Sequence, residues 1–388
     1  MTSGIPVARH VERLAGARRE AAAAGLDALL IGVGADLRYL TGYNAHAMER
    51  LTLLVLPVTG GAPVSLVAPR LEAAPARACA AAAAGAVEIA TWEETEDPML
   101  LVAACLEAGL GWPAPSIGAV AVSDDLRAAF VLGLQRVLPG AAFSVSSAVL
   151  RALRMRKDAD EVALLRRAAH AADRVIAAVA AGPLVGRTEA DVAHEVRERL
   201  VAEGHDDASF WIVASGPNSA SPHHEPGDRV LGSGEAIVVD IGGTVDGYGS
   251  DITRTLWVTG PEEIAPAAEF LHLYGVLQDA QAAATAAIRP GLSCEAIDAV
   301  ARARITEAGY GPQFFHRTGH GIGLEGHEEP YLVAGNLEPL DLGMAFSVEP
   351  GIYIEGRFGA RIEDIVVCGA AGPDTLNELG RDLMVVRG

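Results

Sequence analysis

Residues 235–254 read EAIVVDIGGTVDGYGSDITR. The apolar run Ala236-Ile237-Val238-Val239 stops at Asp240, two glycines and a short turn follow, and Asp251 sits between Ser250 and Ile252 in a second strand-like segment. A short run of branched apolar residues is the pattern of a buried strand. Aspartate is seldom fully buried without a partner, and two carboxylates in paired apolar strands are costly unless something cationic meets them. The stretch therefore predicts a buried strand pair that holds a cation. Its remaining ligands must come from elsewhere in the chain.

Working outward, the 388 residues are half hydrophobic and 21% charged, a globular composition with length enough for two domains. A net charge of -20 argues against nucleic-acid binding, which needs positive charge to displace phosphate counterions. Cys79, Cys105, Cys294 and Cys368 form no CxxC pair. Neither a disulfide framework nor a thiolate zinc site is expected, and a reducing compartment fits. The first twenty residues carry Arg9, Glu12, Arg13, Arg18, Arg19 and Glu20 and lack the apolar core of a signal peptide. The Ala-rich stretch near residue 80 lies between Arg77 and Glu88, too short to span a bilayer. The expectation is a cytoplasmic protein with no membrane partner.

Upstream, helix-like and strand-like segments alternate. VERLAGARREAAAAGL precedes ALLIGV, PMLLVAACLEAG precedes IGAVAVS, and DDLRAAFVLGLQRVL precedes AFSVSS. LTLLVLP and PVSLVAP flank a Gly-Gly-Ala turn. Such alternation argues for an α/β domain. It carries no phosphate loop, acid pair or His cluster, so its expected role is dimer contacts and one wall of a site. The basic stretch from Arg151 marks the junction, and Asp158 or Asp160 is placed to cap the helix that follows. Long helices are expected at about 158–181, 188–204, 262–288 and 293–308.

Three further segments bear on the cation. HRTGHGIGLEGHEEP (316–330) concentrates His316, His320 and His327 in a Gly-rich stretch. MAFSVEPGIYI places Glu349, and ARIEDIVV places Glu363, in strand-like apolar surroundings. Asp364 is expected on the opposite face, because strand side chains alternate. If Asp240, Asp251, Glu349 and Glu363 converged without cations, repulsion and desolvation would force several to hold protons at neutral pH. Two divalent cations would balance four negative charges. Carboxylates with one imidazole suit Mn²⁺, Co²⁺ or Zn²⁺ better than a soft metal, and carboxylates can bridge the ions of a two-metal hydrolytic site.

The motifs VDIGGTVDGYGSDITRT, PHHEPGD, HRTGHGIGLEGHEEP, VEPGIY and RIED resemble the pita-bread metallopeptidases, in the family's order from about residue 150 onward. Within them they resemble the Xaa-Pro peptidases, prolidase and aminopeptidase P. DLRYLTGY (36–43) is similar to the N-terminal domain of the two-domain members. The architecture implied is an α/β creatinase/prolidase-like domain over residues 1–152 and an α+β pita-bread catalytic domain over residues 153–388.

The resemblance also implies roles. Asp240 would chelate the first metal, His320 and Glu349 the second, and Asp251 and Glu363 would bridge the two. Manganese is the first expectation, with cobalt or zinc as alternatives. His223, or its neighbour His224, and His327 would donate to the oxyanion. His316 and Tyr353 would line the substrate pocket, and Arg361 would pair with Asp251 or the substrate carboxylate. A hydroxide shared by the metals would attack the scissile carbonyl, and Glu349 would pass its proton to the prolyl nitrogen. Expected partners are proline-containing di- or oligopeptides and a second copy of the chain in a homodimer. Dipeptidase is favoured over aminopeptidase. A hydrolase or lyase of a small non-peptide substrate and a non-catalytic module on the same fold remain alternatives.

Overall fold

The computed structural model describes residues 4–387, which fall into two compact units divided between Arg154 and Met155. The first is built on a six-stranded mixed sheet of β1 (Ala28–Gly32), β2 (Leu53–Pro57), β3 (Ser65–Pro69), β4 (Glu88–Trp92), β5 (Ala119–Val122) and β6 (Ala142–Val145), in the order β4-β3-β2-β1-β5-β6. The hairpin strands run antiparallel, whereas β4, β5 and β6 join by parallel pairing. Leu30, Val55, Val67 and Val120 meet Val102 and Leu106 of the helix Pro98–Leu110 in one buried core. The expected alternation of helix and strand is present.

The second unit grows from the 235–254 stretch. β7 (Asp207–Ser215), β8 (Glu235–Val245), β9 (Tyr248–Gly249) and β10 (Ile252–Val258) form an antiparallel meander. Asp246 (φ 51°) and Gly247 (φ 82°) make its tight turn, since positive φ at both central positions matches the twist of a two-residue hairpin. A second sheet holds β11 (Gly319–Gly321), β12 (Glu328–Leu332), β13 (Ala345–Val348), β16 (Asp364–Gly369) and β17 (Gly372–Thr375), ordered β12-β11-β13-β16-β17. β14 (Gly351–Ile354) and β15 (Phe358–Arg361) form a separate hairpin, and β18 (Met384–Val386) pairs with β10.

The helices Ala159–Ala181 and Glu189–Ala202 bury Val175, Ile176, Val192 and Val196 against Ile237, Val239 and Leu256. Asp158 and Glu161 close a capping box on the first, and Thr188 and Asp191 on the second, satisfying N–H groups that a helix start leaves free. Of the two expected caps, Asp158 is the one used. The helices Ala268–Ala287 and Cys294–Glu307 cover the other core, around Phe270, Phe346 and Ile352. The first starts later than expected, beyond Pro266, and a bare Ala267 precedes it without a capping side chain. No helix among the described residues is long and apolar enough to cross a membrane.

Candidate active site

The chain brings the predicted acids together. Asp240 lies within β8, opposite Thr253, and Asp251 stands just ahead of β10. Glu349 and Glu363 do not sit inside strands, as their apolar surroundings suggested. Glu349 occupies the break between β13 and β14, where Pro350 has no N–H to continue a ladder. Glu363 occupies the break between β15 and β16, its N–H donating instead to Thr253 O at 3.1 Å. His320 enters from β11, whose close approach to β13 requires Gly319: a Cβ there would lie 1.9 Å from Ser347 O. Asp364 turns away, as alternation predicted, and pairs with the buried Arg254 at 2.7 Å.

His320 Nε2 lies 3.3 Å from Glu349 Oε1 and 3.6 Å from Asp251 Oδ2. Ligand atoms of Asp251, His320 and Glu363 all fall within 4.8 Å of one another. Thr253 donates to Glu363 Oε2 at 2.7 Å, and Ser347 to Glu349 Oε1 at 3.2 Å. Burial, then the neighbouring carboxylates, pushes Asp251 and Glu363 well above the usual carboxylate range. Burial also raises Glu349 to about 7. It lowers His320 to about 3, assisted by His327, so the imidazole is neutral and its lone pair is available. Asp240 Oδ1 and Glu363 Oε1 are buried without a hydrogen-bond partner. Orphaned oxygens among four acids and a neutral imidazole fit hard or borderline divalent ions.

The second layer is more specific than the sequence suggested. Arg361 is 2% exposed and pairs with Asp240, not with Asp251. The register explains this: Thr253, across the ladder from Asp240, accepts from Arg361 Nε at 3.0 Å and draws the guanidinium to that side. The other Arg361 nitrogens donate to Tyr353 Oη at 2.9 Å and Pro222 O at 3.3 Å. Tyr353 meets His316 Nε2 at 3.0 Å, and burial raises the phenol to about 12 and lowers His316 to about 4. His224 lies 2.7 Å from Glu189, whereas His223 is close enough to His316 and His327 to lower the pKa of both. His223, His316 and His327 share a cavity of about 1320 Å³ with Trp211, Phe315 and Arg317.

Two contributors were not singled out from the sequence. Glu189 is fully buried and accepts from Ser215 N (2.8 Å), Ser215 Oγ (2.7 Å) and Asn218 Nδ2 (3.0 Å) besides His224, anchoring the segment that carries His223. Its place in the sequence is the first turn of a helix opened by the Thr188–Asp191 capping box, which marks a helix start and nothing more. Arg317 lies in the cavity over the Tyr331 ring, 4.4 Å from its centroid. The pairing of residues 317 and 331 depends on β11 and β12 coming together and has no local signal.

Residues 163–370 match metallopeptidase family M24, and residues 13–156 match the creatinase/prolidase N-terminal domain. The chain belongs to the metallopeptidase family M24. It is 48% identical over 378 residues to the probable dipeptidase PepE of Mycobacterium tuberculosis (strain ATCC 25618 / H37Rv), covering 97% of this chain and 96% of that protein. The crystal structure of dipeptidase PepE from Mycobacterium ulcerans superposes with a TM-score of 0.91 at 47% identity, covering 100% of both chains. A prolidase from Thermococcus sibiricus gives 0.86 at 33% identity, covering 96% of this chain and 98% of its own. The protein is an enzyme with an α/β domain ahead of a pita-bread catalytic domain, and the non-catalytic reading is set aside.

Proposed function

We propose that the protein is a dinuclear-metal dipeptidase that hydrolyses Xaa-Pro bonds. One observation carries this reading: Asp240 Oδ1 and Glu363 Oε1 are buried without partners in a cluster that also contains Asp251, Glu349 and a neutral His320. Asp240 would hold one ion, His320 and Glu349 the other, and Asp251 and Glu363 would serve both. Manganese is the first candidate, and cobalt or zinc would suit the same donors. When bound, such ions supply the positive charge the acids lack and lower the pKa of water toward neutrality.

The remaining chemistry belongs to the chain. A peptide bond to proline is a tertiary amide, and its nitrogen must gain a proton before it leaves. Glu349, oriented by Ser347, takes the proton of the attacking water on a carboxylate oxygen and delivers it to that nitrogen. His327 and His223 donate N–H groups to the oxyanion, a contribution of roughly 10²–10³ in rate for one such donor. Arg361 holds Asp240 in place, and His316 with Tyr353 forms a fixed polar wall beside it.

We place the domain boundary at residues 152/153, two residues ahead of the division between the compact units, and the enzyme in the cytoplasm as a homodimer. The free cysteines, three of them buried, support a reducing compartment. Protein stripped by a chelator and reloaded with Mn²⁺ or Co²⁺ is expected to cleave Ala-Pro faster than Ala-Pro-Ala. A fully loaded sample inert toward a panel of Xaa-Pro dipeptides would contradict the reading.

A further inference from the structure

We infer that Arg317 receives the C-terminal carboxylate of the substrate and makes the site one for dipeptides. Two permanent cations line the cavity, Arg317 and Arg361. Arg361 is committed: it is buried, ion-paired with Asp240, and each of its three nitrogens meets a group of the chain. Arg317 differs. Among the described residues it forms no ion pair, and its contacts are the Tyr331 ring beneath it and His327 Nδ1, 3.2 Å from Nη2.

Those two contacts fix the guanidinium. The ring sets its plane, and Tyr331 is itself held opposite His320 in the β11–β12 ladder. Because Arg has donors only, His327 Nδ1 must accept, so the imidazole carries its hydrogen on Nε2. Arg317 also lines the cavity, and its guanidinium has further N–H donors beyond the one that meets His327. A planar fork of N–H groups matches a carboxylate and binds it more strongly than a neutral acceptor.

Position in the cavity favours the same ligand. The C-terminal carboxylate of a dipeptide lies one residue beyond the scissile bond, a reach of about 3.3–3.6 Å. Arg317 Nη2 stands 3.2 Å from the ring of the oxyanion donor His327, which places the guanidinium beside the part of the cavity the scissile bond would occupy. The assignment rests on the Xaa-Pro reading above, in which His327 is that donor. Arg361, for which Asp251 or the substrate carboxylate was the expected partner, is paired with Asp240 instead.

The test compares Ala-Pro with its C-terminal amide on the manganese-loaded enzyme, in the wild type, Arg317→Gln and Arg317→Lys. The ratio of kcat/KM for acid over amide is read within each variant, so misfolded protein does not move it. The wild type should favour the acid by about 10- to 100-fold, mainly through KM, as one charged hydrogen-bonded contact allows. Arg317→Gln should bring the ratio near one, and Arg317→Lys should keep part of it. A ratio preserved in Arg317→Gln, or near one in the wild type, overturns the assignment. If neither compound is cleaved, the Xaa-Pro reading fails, and calorimetric titration of both into metal-free protein still decides: carboxylate preference lost in Arg317→Gln supports the assignment, and equal binding by wild type and variant overturns it.

Discussion

Arg361 Nη2 lies 2.5 Å from Asp240 Oδ2, while the other oxygen of the same carboxylate is buried with no partner. The pair orients one acid and leaves half of it unsatisfied, which suits a ligand better than a structural ion pair. Removing one member of a buried pair strands the other and costs about 3–5 kcal/mol. Arg361→Gln should therefore destabilise the metal-free protein by about that amount. The loss should be smaller with metal present, because an ion would meet the stranded charge. Denaturant unfolding with and without Mn²⁺ checks this, and equal losses in both conditions would count against a metal role for Asp240.

Asp240→Asn and Glu363→Gln remove a negative charge where an unpartnered oxygen stands. Each should lower metal affinity by more than about 100-fold, beyond what changes to outer-shell groups cost, and abolish turnover. Metal content per chain after dialysis reports the first effect independently of the second. Undiminished occupancy would show that these oxygens are not ligands.

In the metal-free protein, burial raises Glu349 to about 7 and pushes Asp251 and Glu363 in the same direction. A carboxyl with a raised folded pKa contributes stability that is complete below its unfolded value, about 4. That stability is lost as pH rises through the folded value. In chelator, stability should thus fall between pH 5 and pH 8 as the clustered acids lose their protons. Added metal should raise the melting temperature at pH 8 and flatten the profile, since it binds only the folded state. A pH-independent melting temperature in chelator would contradict the cluster's electrostatics.

Glu189→Ala should cost stability and activity together. It removes the common acceptor of Ser215, Asn218 and His224, leaving buried donors unmet at about 1–3 kcal/mol for a group. The segment holding His223 loses its anchor, so kcat should fall while metal content stays full. Loss of metal in this variant would mean that Glu189 supports the metal cluster and not the histidine loop.

The acids of the site were legible in the sequence because burial leaves a local trace: apolar neighbours around a charge at 240, 251, 349 and 363. Their setting was less legible. Glu349 and Glu363 share that trace although both stand in strand breaks, because a break buried between two strands has the same apolar flanks as a strand. The partner of Arg361 depends on the register of β8 against β10, which no stretch of sequence contains. The N-terminal alternation was readable because each element buries its own periodic face. Arg317 was passed over as one basic residue in a His-rich segment, and its meaning comes from Tyr331 and the committed state of Arg361.

The central claim is that Asp240, Asp251, His320, Glu349 and Glu363 together hold two divalent ions. Calorimetric titration of the chelator-stripped protein with Mn²⁺, with metal content measured on the same sample, tests it most directly. The account predicts two ions per chain, with both sites lost or severely weakened in Glu363→Gln. A wild type that saturates at one ion or none, or a Glu363→Gln variant that still takes up two, would contradict it.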